Sequence, residues 1–271
     1  VCGGRGEGRL YAAGGTGESQ ALATVECYDP ATRLWQPAPS MGSARSFAAL
    51  GVLGGRLYII GGHDGKSRTT SGEVFDPQQG LWSPVADISS TRSELAVGVL
   101  GDRLYAFGGM TFRQVLATGQ VLDPTRNEWQ EMPAMTSKRS ALAGGVLKGR
   151  LYAVGGHEGG PRFATAEAWD PRTSKWTPVA SMACRRSGLA MGVNEGKLYA
   201  VGGHDGYGRV ASVEVYDPFM DRWQSAPSLP DPRCFLGVAC VAGEGLFAVG
   251  GHNGDQRLKT VECLSESLQP A

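Results

Sequence analysis

Pairs of glycines close a short apolar run at Gly14-Gly15, Gly61-Gly62, Gly108-Gly109, Gly155-Gly156, Gly202-Gly203 and Gly250-Gly251, with successive spacings of 47, 47, 47, 47 and 48 residues. A period of this length is the signature of a propeller, a solenoid or an array. A unit that small cannot bury its apolar face alone and must stack on its neighbours. The 271 residues are therefore read as one continuous array over 1–271 instead of two unrelated domains.

One unit shows what is being repeated. From Ser187 to Val193 the run SGLAMGV is small and apolar at nearly every position, as suits an innermost strand packed on both faces. GKLYAVGG (196–203) follows after a turn, then VASVEVYDP (210–218) and RWQSA (222–226). Four short strands joined by glycine and Asp-Pro turns make one twisted sheet. Trp35, Trp82, Trp129, Trp176 and Trp223 recur every 47 residues, each six residues after Asp29, Asp76, Asp123, Asp170 or Asp217. Tyr11, Tyr58, Tyr105, Tyr152 and Tyr199, with Phe247 in the last unit, mark the second strand. A residue present in every unit serves what every unit needs, so these aromatics are read as packing between units.

One fragment imitates a different fold. Gly206-Tyr207-Gly208-Arg209-Val210-Ala211 fits the G-x-G-x-x-G/A dinucleotide pattern, whose chemistry requires a helix N-terminus to receive the pyrophosphate. Here Val210 to Tyr216 is rich in β-branched and aromatic residues and ends at Asp217-Pro218, which reads as a strand and a turn. No cofactor is expected.

Double glycine, then spaced Glu, Tyr and Trp, with a Met-x-x-x-Arg stretch opening the next unit, resembles the kelch repeat across essentially the whole chain. The GGHDG and VEVYDP forms are most similar to the kelch domains of kelch-like proteins. The resemblance implies an all-β fold, a six-bladed kelch β-propeller with four antiparallel strands per blade, the first and last blades incomplete in sequence. The last unit ends VECLSESLQPA, with Leu268 in the tryptophan place, and only VCGGRGEGRLYAA surrounds the start of the first. An open ring leaves unpaired strand edges, so the first sheet is expected to be completed by the Val1-Cys2 stub or by the C-terminal tail. The chain starts within a repeat and is read as part of a longer protein. Kelch-like relatives carry an N-terminal BTB and BACK region and recruit substrates to a cullin-3 ubiquitin ligase, and the resemblance implies that role here.

Composition narrows the partners. Lys plus Arg and Asp plus Glu each total 26, so no global basic field favours nucleic acid or an anionic membrane. No run approaches the roughly 18 apolar residues of a spanning helix and no signal peptide is visible; a cytoplasmic location and a monomeric propeller are expected. Cys2, Cys27, Cys184, Cys234, Cys240 and Cys263 form no C-x-x-C pair. Cys27 and Cys263 occupy equivalent VEC positions in the first and last units, which leaves two readings: a disulfide clasp between neighbouring end repeats, or free thiols packed in strands.

In a repeat protein, function sits in loops and at positions that vary between units. The residue after each double glycine is Thr16, His63, Met110, His157, His204 or His252, and five residues later come Ala21, Arg68, Val115, Arg162, Arg209 and Arg257. By the resemblance, this loop and the loop before the inner strand line a face that grips peptides. His63, Arg68, His157, Arg162, His204, Arg209, His252 and Arg257 then fall on ligand-contacting positions, with Tyr207, Phe112 and Phe163 as apolar contacts. The loop before the inner strand supplies Arg45, Arg92, Arg139, Arg186 and Arg233, followed by Ser46, Ser93, Ser140, Ser187 and the deviant Cys234. Five arginines at one position suggest a structural task, pairing with Glu26, Glu73, Glu167, Glu214 and Glu262. The serines are candidates to face the mouth.

The expected ligand is an acidic or phosphorylated peptide, because Arg forks match carboxylates bidentately. The competing reading is a solvated rim. Four histidines at one equivalent position suggest a metal, but in a ring their loops stand blade widths apart and no metal is expected. No G-x-S-x-G and no Cys-His-Asn nucleophile pattern occurs, so enzymatic activity is not expected. Some kelch propellers are copper oxidases or a sialic acid mutarotase, so the fold alone does not decide. The alternative functions are an actin-associated or other scaffolding protein and, third, a sugar-active enzyme. Cys234, beside Arg233, is read either as a thiol of lowered pKa or as a buried, inert one.

Overall fold

The computed structural model describes residues 8–29, 31–241 and 244–264. They form six antiparallel sheets and no helix. Blade one holds β1 (Leu10–Ala13), β2 (Val25–Asp29) and β3 (Leu34–Ala38), and blade two holds β4 (Ala49–Leu53), β5 (Arg56–Ile60), β6 (Gly72–Asp76) and β7 (Leu81–Val85). Blade three is β8 (Ala96–Leu100), β9 (Arg103–Phe107), β10 (Gly119–Asp123) and β11 (Glu128–Met132). Blade four is β12 (Ala143–Leu147), β13 (Arg150–Val154), β14 (Ala166–Asp170) and β15 (Lys175–Val179). Blade five is β16 (Ala190–Asn194), β17 (Lys197–Val201), β18 (Val213–Asp217) and β19 (Arg222–Ala226). Blade six shows β20 (Gly237–Val241), β21 (Gly245–Val249) and β22 (Val261–Cys263). The molecule is thus a six-bladed β-propeller, with four strands in each middle blade and three in each end blade among the described residues.

The inner strands β4, β8, β12, β16 and β20 touch in succession and line the axis. Small residues make this approach feasible: a Cβ at Gly98 would stand 2.7 Å from Leu151 Cδ2 of the next blade. Blade one meets blade six through Leu10, which packs with Ala239, Val241 and Phe247, while Tyr28 lies against Phe247 with ring centroids 6.0 Å apart. The two segments expected to complete the first sheet, Val1-Cys2 and the tail with Leu268, lie outside the described residues.

The recurrent aromatics are core. Phe107 packs on Trp176, and Tyr105 on Trp169, across the seam between blades three and four. Four of the recurrent tryptophans also hold the connector that enters their blade. Trp82 Nε1 donates to the Pro39 carbonyl at 2.8 Å, Trp129 to Ala86 at 2.7 Å, Trp176 to Pro133 at 2.9 Å and Trp223 to Ala180 at 2.8 Å. The double glycine has an equally local cause. Gly61 and Gly62 have φ of 64° and 96° and are wedged between two loops: a Cβ would lie 2.5 Å from the Arg92 carbonyl at the first and 2.7 Å from the Ser46 carbonyl at the second. Only glycine fits a left-handed position with that clearance.

Candidate functional site

The face that carries the connectors also carries the loops after the double glycines. The two loop sets are joined by paired backbone hydrogen bonds: Ser46 with His63, Ser93 with Met110, Ser140 with His157, Ser187 with His204 and Cys234 with His252. That pairing decides where the expected site residues go. Ser46, Ser93, Ser140 and Ser187 are all buried, below the rim and not on it. Three of the hydroxyls serve internal partners: Ser46 Oγ donates to the His63 carbonyl at 3.1 Å, Ser140 Oγ donates to Glu94 Oε2 at 2.6 Å, and Ser93 Oγ accepts from Arg68 Nε at 2.9 Å.

The histidines cap their own loops. Nδ1 of His63, His157, His204 and His252 accepts the backbone N–H two residues on, from Gly65, Gly159, Gly206 and Gly254, at 2.9–3.0 Å. A ring nitrogen used as an acceptor must be unprotonated. Burial pushes the His157 pKa down, with Arg162 adding to the effect and Glu94 opposing it. The His204 pKa is lowered by burial and by the cations of Arg162 and Arg209. Among the described residues no three His, Cys, Asp or Glu side chains gather as metal ligands.

The two arginine sets have different fates. Arg45, Arg92, Arg139, Arg186 and Arg233 are fully buried. Each enters its blade beneath the inner strand, and four of them pair with a glutamate on that blade's third strand: Arg45–Glu73 at 3.0 Å, Arg139–Glu167 at 2.9 Å, Arg186–Glu214 at 3.0 Å and Arg233–Glu262 at 3.4 Å. The glutamates in turn accept N–H groups of the connector, as Glu73 does from Gly42 at 2.6 Å and Ser43 at 3.2 Å. Glu26 departs from the expected pattern, being exposed and in no ion pair among the described residues. Blade three departs further: Gln120 stands in the glutamate place, and its Nε2 donates to Glu131 Oε1 at 2.7 Å on the neighbouring strand. Burial lowers the Arg92 pKa, with the Glu131 charge opposing.

Arg68, Arg162, Arg209 and Arg257 lie on the rim. Arg68 and Arg162 are half-buried and held, the first by Ser93 and the second through Nη1 to the Gly160 carbonyl at 3.0 Å. Arg209 and Arg257 are exposed, and Arg257 makes a long 3.4 Å bond to the Glu18 carbonyl. Tyr207 and Phe112 project from loop tips at 96% and 87% exposure. Phe163 is half-buried and stacks on buried Arg139 at 5.3 Å.

A set of residues at the centre of this face escapes the sequence reading. Phe47, Glu94, Ala141, Gly188 and Phe235, one position after each buried serine or Cys234, all have φ between 52° and 61°. From Glu94 onward, each N–H donates to the carbonyl of the equivalent residue one blade back, at 2.7–3.0 Å, so four hydrogen bonds join the five residues around the axis. Nothing in Phe, Glu or Ala announces a left-handed backbone; the signal available was the 47-residue spacing together with the change of chemistry from unit to unit. Phe47 and Phe235, 42% and 44% exposed, meet edge to face at 5.1 Å on the blade-one side. They head an axial cavity of about 710 Å³ whose lining includes Glu94, Arg209, Cys234, His252 and Arg257. Burial raises the Cys234 thiol pKa, with Arg209 opposing. Cys27 forms no disulfide and packs in a different cluster from Cys263, so the expected clasp between these two is not formed.

The cavity lining on this face combines apolar rings, guanidinium donors and the Glu94 carboxylate. The sequence matches the KLHDC2/KLHL20/DRC7 Kelch-repeats domain over residues 1–156 and the kelch motif over 138–183, 185–230 and 232–267. No curated protein matches it at a significant level. With matching repeats along nearly its whole length and six blades in register, the chain belongs to the kelch-repeat family, whose propellers are in general protein-interaction modules.

Proposed function

We propose that this face binds an extended peptide segment that places an acidic group beside an apolar side chain. The observation that carries the reading is the asymmetry of the mouth. Arg209 and Arg257, the exposed rim arginines, line the same cavity as Phe47 and Phe235, while Glu94 lines it from blade three. A ligand carboxylate or phosphate is thus drawn to blades five and six, and its apolar neighbour to the phenylalanine pair. A hydroxyl, an amine or a basic side chain suits the Glu94 side. Each charge-assisted hydrogen bond contributes roughly 1.5–3 kcal/mol, against an ordering cost of about 2–5 kcal/mol for a flexible segment. The apolar contact at Phe47 and Phe235 is therefore needed for useful affinity.

The finer reading is that the propeller selects substrates for a cullin-3 ubiquitin ligase. It rests on resemblance and is tested separately, by co-precipitation of cullin-3 with the full-length protein. The peptide reading is tested by displaying proteome-derived peptides to the folded domain and to R209A/R257A. Enrichment of an acidic-apolar motif that the variant loses, and that weakens as ionic strength rises, supports it. Affinity indifferent to salt and to both substitutions refutes it.

A further inference from the structure

The opposite face carries the turns between the third and fourth strands of each blade. All start with Asp-Pro, and the next two residues are Ala31-Thr32, Gln78-Gln79, Thr125-Arg126, Arg172-Thr173 and Phe219-Met220. Four of the five tips are polar or small. The turn itself does not select its tip: in each, the aspartate carboxylate closes the loop by accepting the N–H two residues on, from Ala31, Gln78, Thr125, Arg172 and Phe219, at 2.9–3.0 Å. Phe219 and Met220 are not buried by the fold either, being 81% and 63% exposed. Two adjacent large apolar side chains that serve neither turn nor core mark a contact surface.

The surroundings define the partner. Lys148, from the turn between β12 and β13, places Nζ 3.1 Å from the Phe219 ring centroid, so the ring is held in place while its outer face stays open. At the strand ends and turns of this face, blades four and five carry Lys148, Arg150, Arg172, Lys175, Lys197 and Arg222 against Asp170, Glu195, Asp217 and Asp221. The same places in blades two and three hold three cations and four acids. The acids of blades four and five are also largely engaged. Asp170 is paired with Arg150 and Arg172, Asp217 closes its turn, and Asp221 accepts from the Tyr216 hydroxyl and from Ala180 N–H. Lys148, Lys175 and Lys197 are exposed, with donors that make no hydrogen bond to a carboxylate among the described residues. A rigid apolar pair within a cationic half-face is complementary to a segment with an apolar anchor flanked by acidic residues.

We propose that the Phe219-Met220 turn, with Lys148 and Lys197 beside it, is a second docking site for an acidic amphipathic segment of a protein partner, separate from the peptide mouth. Rigid aromatic anchors bind with little ordering cost, so the turn should act as a small hot spot. The probes are synthetic peptides that flank a Leu, Phe or Trp anchor with Asp and Glu, their Lys-flanked counterparts, and phosphatidylcholine vesicles with and without phosphatidylserine. Binding is read by fluorescence anisotropy and by vesicle co-sedimentation. The acidic peptides are expected to bind the native domain and R209A/R257A alike, and to bind F219S/M220S about tenfold more weakly. K148E, which keeps the apolar pair and reverses the neighbouring charge, is expected to weaken them as well. Neither variant alters a packed residue, and an unchanged melting temperature verifies that both fold. Absence of acidic-peptide binding, binding that survives F219S/M220S and K148E, or equal binding of the Lys-flanked peptides overturns the proposal. Co-sedimentation with phosphatidylserine vesicles that depends on Phe219 and Met220, without peptide binding, overturns it in favour of a membrane surface.

Discussion

Replacing Glu167 by Gln tests whether the buried arginines are held by charge or only by shape. In blade four Arg139 and Glu167 are both buried, Nε donates to Oε1 at 2.9 Å, and Oε2 accepts from Thr136 N and Oγ1 at 2.7 and 2.8 Å. A Gln side chain keeps the volume but has one acceptor oxygen. If that oxygen serves Thr136, the amide NH₂ faces the Arg139 donor, and the guanidinium charge is left without a carboxylate. Removing one partner of a buried pair costs about 3–5 kcal/mol. At about 2–4 °C per kcal/mol for a chain of this order of size, the melting temperature should fall by roughly 6–20 °C. Blade three supplies the internal control, because it already carries Gln120 in this place and compensates with Glu131 across the strand pair. The residue opposite Glu167 is Pro178. E167Q/P178E therefore rebuilds the blade-three arrangement and should recover part of the loss. Circular dichroism melts of the two variants decide the matter: a drop of less than about 2 °C for E167Q refutes the claim that charge compensation fixes the connector.

Other expectations follow from the same geometry. G188A places a Cβ 3.2 Å from the Phe235 ring at a left-handed position with φ of 61°; it should cost about 1 kcal/mol, visible in a melt, and should lower peptide affinity by displacing Phe235 from Phe47. His157 and His204 both have pKa values depressed below 6.5, so the unfolded chain takes up protons first as pH falls. Their contribution to stability is present above about pH 6.5 and is lost as pH drops through the folded values. Melts at decreasing pH should show this loss, and H157Q/H204Q should flatten it. Because Cys27 is not disulfide-bonded to Cys263, addition of a reductant should leave the melting temperature unchanged; a drop would reveal a disulfide.

The repeat and the blade were legible because both rest on side chains that every seam requires. Tryptophans spaced by 47 and paired glycines have one packing solution each, and the arginine before each inner strand is read correctly as structural from its presence in every available unit. Position within the mouth was not legible in the same way. A serine beside an arginine suggests an exposed hydroxyl, yet the backbone pairing of Ser140 with His157 puts that serine under the rim. The four histidines are read as ligand contacts; that their Nδ1 also accepts the N–H two residues on is a property of loop geometry that residue type does not express. The left-handed ring is hidden for the opposite reason, since Phe47, Glu94 and Ala141 adopt a backbone that their residue types disfavour. The exchange of Glu for Gln120 shows in the sequence; its compensation by Glu131, eleven residues on, appears only when β10 and β11 are paired.

The connector entering blade two bonds to blade one through its backbone, Met41 N–H to the Ala23 carbonyl and Arg45 N–H to that of Leu22, but its side-chain fastenings come from blade two: Trp82 takes the carbonyl of Pro39, Glu73 takes the N–H groups of Gly42 and Ser43, and Arg45 reaches back to Glu73. Lock and key travel together within one period of the chain. A unit copied or deleted in register brings or removes its own fastening, leaving no orphaned half behind, so the number of blades can change by duplication without any new joint being invented. Growth of the array is limited by how many wedges close a circle, not by the chemistry of joining them.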